Sequence, residues 1–416
     1  MKKNKLLFLI LGIILILIII VLVLIYCEFK NSRMNYNDVS EDGTFSTAFI
    51  RESHKKMKHK NYMISPYSVE IALSMLRDGS GGETVEEIES VVPKRSIKTL
   101  TVKDKVNVAN ALFVKDKYKQ DVLSNYYQTL KTDYNAEIIY DKFTTPDKIN
   151  SWVNKETNGM IKKVVDELDP DFVLGLANAV AMEEEWAIPF ECEQTSGYAF
   201  TKVNGKQYDT AMMSNSYESL AYYYKDDKAE AVTIPYKIYN RNSGVESEEG
   251  SQLDFVGILP KDIDSYINSF TLDEIDNITK NQRGASNKLE IYVGLPRFEF
   301  DYDFAKFKDT LIDMGIKSVF APGADLSNMI NGRDVFVNDA VHKSYVKVDE
   351  NGTKAAAVTY FGVKENAVIR EDDKEYVSVI FDKPFIFMIK DHDSNEILFF
   401  GVVYEPEKWT GKKTCK

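Results

Sequence analysis

The chain has 416 residues and a formal net charge of −12, from 64 acidic and 52 basic side chains, with 44% hydrophobic and 12% aromatic residues. That hydrophobic content excludes a disordered chain, and the acidic balance argues against nucleic acid as the main partner. Three cysteines and four histidines exclude a disulfide-dense scaffold and leave little material for a zinc site.

The first element is Leu6–Tyr26, 21 residues without a charge. A helix of that length spans roughly the 30 Å hydrocarbon core of a bilayer. Lys2, Lys3 and Lys5 precede it, and Glu28, Lys30 and Arg33 follow with a weaker positive bias, which predicts a cytoplasmic N-terminus. A cleavable signal peptide has a shorter apolar region and ends in small residues, whereas Val-Leu-Ile-Tyr stands before Cys27. The expectation is an uncleaved signal anchor over residues 1–27, with the rest of the chain outside the cell and held to the membrane; a secreted protein is the alternative. Residues 28–43 read as a polar stalk.

Length alone allows two or three domains, but residues 44–406 contain no Pro/Gly/Ser-rich linker and no repeat, so they read as one domain followed by a tail, 407–416. Asn240–Ser251 suits a surface loop between strands. Helices are predicted first. Phe45, Phe49 and Ile50 share a face; Val69, Ala72, Leu73 and Leu76 do so after Pro66; Ile149, Trp152, Val153 and Glu156 do so within Asp147–Ile161. Strands dominate later: Leu289–Val293, Tyr376–Ile380, Phe385–Ile389 and Ile397–Val403. The last two are almost continuously apolar, as strands buried on both faces are. Helices followed by many strands predict an α+β domain with a large sheet.

Catalytic signatures are absent from the sequence: no Gly-x-Ser-x-Gly, no His-Glu-x-x-His, no Cys-x-x-Cys and no phosphate loop. Gly79-Ser-Gly-Gly82 most simply ends the helix begun at Pro66. Glu183-Glu-Glu185 and His54–Lys60 read as solvated, charged surface rather than a cation site and a polyanion site. Cys192 and Cys415 are candidates for a disulfide outside the cell.

The informative stretch is Val348–Gly362. It is a long connection, and such loops in compact domains are usually functional. Thr353, Ala355, Ala357 and Thr359 are small and point to one face of an extended chain, with Lys354 on the other. No proline occurs between Pro322 and Pro384, so nothing forbids this segment from becoming a central strand.

Glu350-Asn-Gly-Thr-Lys-Ala-Ala-Ala-Val-Thr359 resembles the hinge of an inhibitory serpin's reactive-centre loop. Further matches follow in order. They include Asn61–Ser68, Ile149-Asn-Ser-Trp-Val153 with Thr157, Gly159 and Ile161, and Leu176-Ala-Asn-Ala179 with Trp186 and Thr195. Leu295-Pro-Arg-Phe298, Pro384–Ile389 and Ile397–Gly401 complete the set. Each is weak alone, and the ordered set identifies the chain as similar to the serpins, in the form of a membrane-anchored bacterial member.

The resemblance implies a serpin fold of three β-sheets and about nine helices with an exposed reactive-centre loop near residues 350–375. It implies a monomeric inhibitor rather than an enzyme, with no cofactor or metal. Its partners would be serine proteases, trypsin-like or elastase-like and also subtilisin-like, cut and trapped as the loop inserts into the central sheet. A non-inhibitory serpin, a substrate or binding protein, is the alternative. The implied hinge is Glu350, Gly352, Thr353, Ala355, Ala356, Ala357 and Thr359. The implied shutter and breach are Ser65, Ser68, Asn178 and His342, with Trp186 where insertion starts. The family's spacing places the cut bond between Asn366 and Ala367, with Arg370 as the alternative. Glu183-Glu-Glu185, Val358 and Asn351 depart from the usual residues and leave the target protease open.

Overall fold

A computed structural model describes residues 45–57, 59–92, 106–238, 252–332, 334–338, 340–353 and 374–412. The expected anchor and stalk, hinge positions Ala355, Ala356, Ala357 and Thr359, and the bond candidates Asn366, Ala367 and Arg370 lie outside them. Among the described residues, no helix is long and apolar enough to cross a membrane.

The α-helices are α1 Phe45–His54, α2 Pro66–Asp78, α3 Gly82–Val91, α4 Ser124–Asp133, α5 Asp147–Glu156, α6 Ile263–Asn268, α7 Leu272–Asn281 and α8 Phe307–Asp313. The strands of the first half are β1 Tyr62–Ile64, β2 Val106–Lys115, β3 Glu137–Asp141, β4 Leu174–Met182, β5 Glu184–Glu185, β6 Ser196–Thr201, β7 Gln207–Tyr217, β8 Tyr222–Lys225 and β9 Ala229–Pro235. Those of the second half are β10 Leu253–Pro260, β11 Arg283–Gly284, β12 Leu289–Pro296, β13 Phe298–Asp303, β14 Lys343–Val348, β15 Gly352–Thr353, β16 Glu375–Ile380, β17 Phe385–Asp391 and β18 Ile397–Val403.

Local chemistry sets α2 as the sequence predicts. Ser65 caps it, its Oγ accepting from Ser68 N at 3.2 Å, Pro66 opens it and Gly79 ends it. Val69, Ile71, Leu73, Met75 and Leu76 are all buried, and the helix packs on β4 and β18. At the centre of the molecule β17 and β18 are buried at every residue, which explains their unbroken apolar runs. They belong to a seven-stranded sheet of order β1-β18-β17-β10-β9-β8-β11. A second sheet has the order β16-β12-β7-β6, with β12 and β16 parallel.

The remaining strands form two sheets, β3-β2-β4 and β13-β14-β15-β5. β4 and β5 are one run of chain, Leu174 to Glu185, interrupted at Glu183. The β4 part pairs with β2. The β5 part pairs with β15, which in turn pairs with β14 at Val348. No ladder joins β4 to β14 among the described residues. Among the described residues the hydrogen-bonded sheets therefore number four, because the layer containing β4 and β14 is bridged at one end by Gly352–Thr353 and parted below it.

Candidate functional site: a parted sheet with a latched hinge

A cavity of about 750 Å³ lies where the layer is parted, lined by Ser65, Ser68, Leu176, Asn178, His342 and Thr353 among others. Polar groups run along its floor. His342 is buried, and burial pushes its imidazole down to about 4, so at neutral pH the ring is uncharged. Its Nε2 accepts from Ser65 N at 3.1 Å, while Ser65 Oγ donates to Leu398 O at 2.7 Å. Ser68 Oγ bonds Asn178 Oδ1. Asn178 Nδ2 donates to Asn110 Oδ1 at 2.7 Å, and Asn110 Nδ2 to Tyr134 O at 2.8 Å. Ser65, Ser68, Asn178 and His342, expected together, are thus joined in one network that reaches β2 and β18. Asn110 was missed. The available signal was weak: Asn110 is one of two asparagines, with Asn107, in the otherwise apolar run Val106–Val114, and it is the buried one, where a satisfied hydrogen bond is the rule.

The upper end of the cavity is closed by residues 349–353. Glu350 is buried, and its carboxylate accepts from Arg297 Nε at 2.8 and 2.9 Å and also from Arg297 Nη2 and Thr195 Oγ1. Two charges removed from water persist because the geometry is bidentate and a third donor is added. The backbone is held as well. Phe190 N donates to Glu350 O and Trp186 N to Asn351 O, both at 2.9 Å. Trp186 Nε1 donates to Asp349 O at 2.9 Å. The indole is fully buried and stacks on Tyr236 with centroids 4.7 Å apart, and Tyr236 shares a 2.7 Å hydrogen bond between its hydroxyl and Thr353 Oγ1. Trp186 is therefore packed against residues 349–353 and bonded to them through both its backbone and its indole.

Gly352 has a steric reason. A Cβ there would stand 2.0 Å from the Glu184 carbonyl oxygen, so only glycine lets the hinge backbone lie against β5. The acidic run Glu183-Glu-Glu185 corrects the expectation of a solvated edge. Glu184 is 2% exposed, and Glu184 and Glu185 pair with Thr353 and Gly352. Lys237 Nζ, 2.7 Å from Glu185 Oε2, meets one of the charges that made the run read as surface. His54 is also buried, at the end of α1, with its Nε2 3.0 Å from Asp264, so His54–Lys60 is not uniformly solvent-facing. Arg297 and Thr195 were legible as motif residues but not as partners of Glu350, and Tyr236, the partner of Thr353, was not singled out. A single arginine in the apolar stretch Gly294–Phe298 was the one local hint. Among the described residues, no group of His, Cys, Asp or Glu is arranged to hold a metal.

Comparison with known proteins agrees with this architecture. The family model described as Serpin (serine protease inhibitor) matches residues 40–406. The chain is 31% identical over 386 residues to a serpin-like protein of the archaeon Thermococcus kodakarensis, covering 86% of this chain and 84% of that protein. It is 28% identical to a leukocyte elastase inhibitor of Xenopus tropicalis, covering 87% and 97%. The structure superposes on the thermophilic serpin tengpin in its native state with a TM-score of 0.72 at 28% identity, covering 87% and 93%. The Thermococcus and Xenopus relatives are archaeal and vertebrate, so they do not show the expected bacterial source. The fold, the parted layer and its latched hinge, and a family match over most of the chain lead to one conclusion: the chain belongs to the serpin family.

Proposed function

We propose that this serpin inhibits serine endopeptidases by inserting its cleaved loop, as a new strand, between β4 and β14. The observation that carries the reading is the position of Gly352 and Thr353, which already lie between β5 and β14 at the head of the cavity. A strand that continues their path enters between two strand edges that no ladder joins among the described residues. Roughly a dozen added residues gain ladder bonds worth about 0.5–1.5 kcal/mol each, on the order of 10 kcal/mol in all. The small side chains at Ala355, Ala357 and Thr359 suit positions that must pass over α2 and β4. In this reading the bond cut is Asn366–Ala367 by the family's spacing, with Arg370 suited to a trypsin-like protease and Ala367-Val-Ile369 to an elastase-like one. Residues 1–27 anchor the domain 44–406 outside the membrane of a bacterial cell.

Incubating the full chain with trypsin-, elastase- and subtilisin-type proteases is expected to give a covalent complex that survives SDS, with mass spectrometry locating the bond. Clean cleavage without a complex by every protease would refute inhibition and favour a substrate or binding role.

A further inference from the structure

An asparagine cyclises most readily when glycine follows it, because the missing side chain leaves the attacking backbone nitrogen unhindered. The chain holds four such pairs: Asn158-Gly159, Asn204-Gly205, Asn331-Gly332 and Asn351-Gly352. The first three are exposed at both residues, and the fourth lies in the hinge with Asn351 half-buried and Gly352 buried. At Asn331-Gly332 the glycine N–H has no partner among the described residues, so that pair is an unrestrained reference for the one in the hinge.

The peptide unit joining Asn351 to Gly352 is held at both ends. Its carbonyl oxygen accepts from Trp186 N at 2.9 Å, and its N–H donates to Asp349 O at 3.3 Å. Gly352 is also paired with Glu185 and pressed against the Glu184 carbonyl. Cyclisation needs this nitrogen to turn onto Asn351 Cγ, which it does only once these bonds are broken. The Asn351 carboxamide is not held in the same way: its backbone N–H donates to Asp349 Oδ1 at 3.0 Å, but its side chain makes no hydrogen bond among the described residues. The electrophile is ready and the nucleophile is clamped.

We propose that Asn351-Gly352 is a self-modification site gated by the latch, an ageing switch that makes opening of the hinge irreversible. The inference goes beyond the inhibitory reading and needs only that the hinge opens locally from time to time. In the open hinge the Gly352 nitrogen, giving up its proton to water, forms a bond to Asn351 Cγ. The Cγ–Nδ2 bond breaks, and the carboxamide nitrogen takes a proton back and leaves as ammonia. One water then opens the succinimide at either carbonyl, giving aspartate or isoaspartate, with nothing oxidised or reduced. Either product sets a new carboxylate beside Asp349 and Glu350. Isoaspartate also adds a main-chain carbon between Glu350, held by Arg297, and Thr353, held by Tyr236, so both anchors are no longer met together.

Ageing the full chain at neutral pH, followed by peptide mapping, reads each pair by the exchange of its carboxamide for a carboxylate. The ratio of the Asn351 rate to the Asn331 rate is expected to be about tenfold lower in the folded chain than in urea-unfolded chain, the factor that a closing free energy of ~1.4 kcal/mol gives. Arg297→Met is expected to remove most of that protection. An unchanged ratio on folding, or protection that Arg297→Met leaves intact, overturns the gate. Should Arg297→Met fail to fold, the wild type in urea below its unfolding midpoint carries the same comparison. Hydrogen exchange at the Trp186 and Phe190 amides, which donate to Asn351 and Glu350, reads the consequence. It is expected to quicken in the wild type as Asn351 converts and to keep its starting value in Asn351→Gln, whose longer side chain closes its ring far more slowly. Exchange that stays slow in converted protein, or quickens equally in Asn351→Gln, overturns the switch. A chain that traps no protease yet shows the gated conversion keeps the switch and loses only the inhibitory reading.

Discussion

Thr353→Glu tests the hinge where it already lies in the sheet. Thr353 is 5% exposed, stands opposite Glu184 in the ladder and hydrogen-bonds the Tyr236 hydroxyl at 2.7 Å. Glutamate there loses that bond, about 1 kcal/mol. It also brings a second carboxylate beside Glu184, itself 2% exposed, and burying a charge without a counter-charge costs roughly 3–5 kcal/mol. Because Thr353 is held between β5 and β14 before any bond is cut, this cost of ~4 kcal/mol falls on the intact chain and is read as stability rather than as an insertion rate. Urea unfolding of the intact chain measures it: the Thr353→Glu midpoint is expected to fall by the equivalent of about 4 kcal/mol, and that of Thr353→Val, which removes only the hydroxyl, by the equivalent of about 1 kcal/mol. A Thr353→Glu variant with the wild-type midpoint would show that residue 353 does not lie in the buried ladder.

Arg297→Met leaves the Glu350 carboxylate buried with Thr195 Oγ1 as its remaining side-chain donor, a loss of roughly 3–5 kcal/mol. The urea midpoint should fall accordingly and recover largely in Arg297→Met/Glu350→Gln; an unchanged midpoint in the single variant contradicts the latch. His342 titrates near 4 in the folded chain and near 6.5 when unfolded. The unfolded state therefore binds its proton first on acidification. Its stabilising share is complete above about pH 6.5 and falls by up to about 3 kcal/mol as pH drops to 4. His342→Gln should remove that part of the pH dependence of the urea midpoint, and an identical slope in the variant would refute the assignment.

Local rules made the elements readable. Ser65, Pro66 and Gly79 bound α2 in both sequence and structure, and the unbroken apolar runs of β17 and β18 match strands buried on both faces. The family pattern named Ser65, Ser68, Asn178, His342 and Trp186, while their hydrogen bonds came only from the structure. What stayed illegible was pairing at long range. Arg297 and Glu350 are separated by 53 positions and Thr195 and Glu350 by 155, and no periodicity relates them. Glu184 was misread for a physical reason: carboxylates are almost never buried unless partnered, and the sequence does not display the ladder with Gly352–Thr353 that takes it inside.

On the proposed mechanism, the latch and the parted layer govern different quantities. Bonds present before insertion and broken on the way to it, such as Arg297–Glu350 and Trp186 Nε1–Asp349 O, raise the barrier without adding to the final sheet. Ladder bonds formed along β4 and β14 deepen the product and, where they form late, leave the rate alone. A trap that works by refolding needs both: slow conversion while the loop is intact and a large release once it is cut. A buried ion pair suits the first task, since its net contribution to stability is small while breaking it one partner at a time is costly. Small polar side chains suit the floor, because Ser65, Ser68 and Asn178 keep partners on α2, β4, β2 and β18 that do not depend on the arriving strand. Substitutions at Arg297 or Glu350 should therefore change how fast the hinge leaves, and substitutions along β4 or β14 how far the reaction runs.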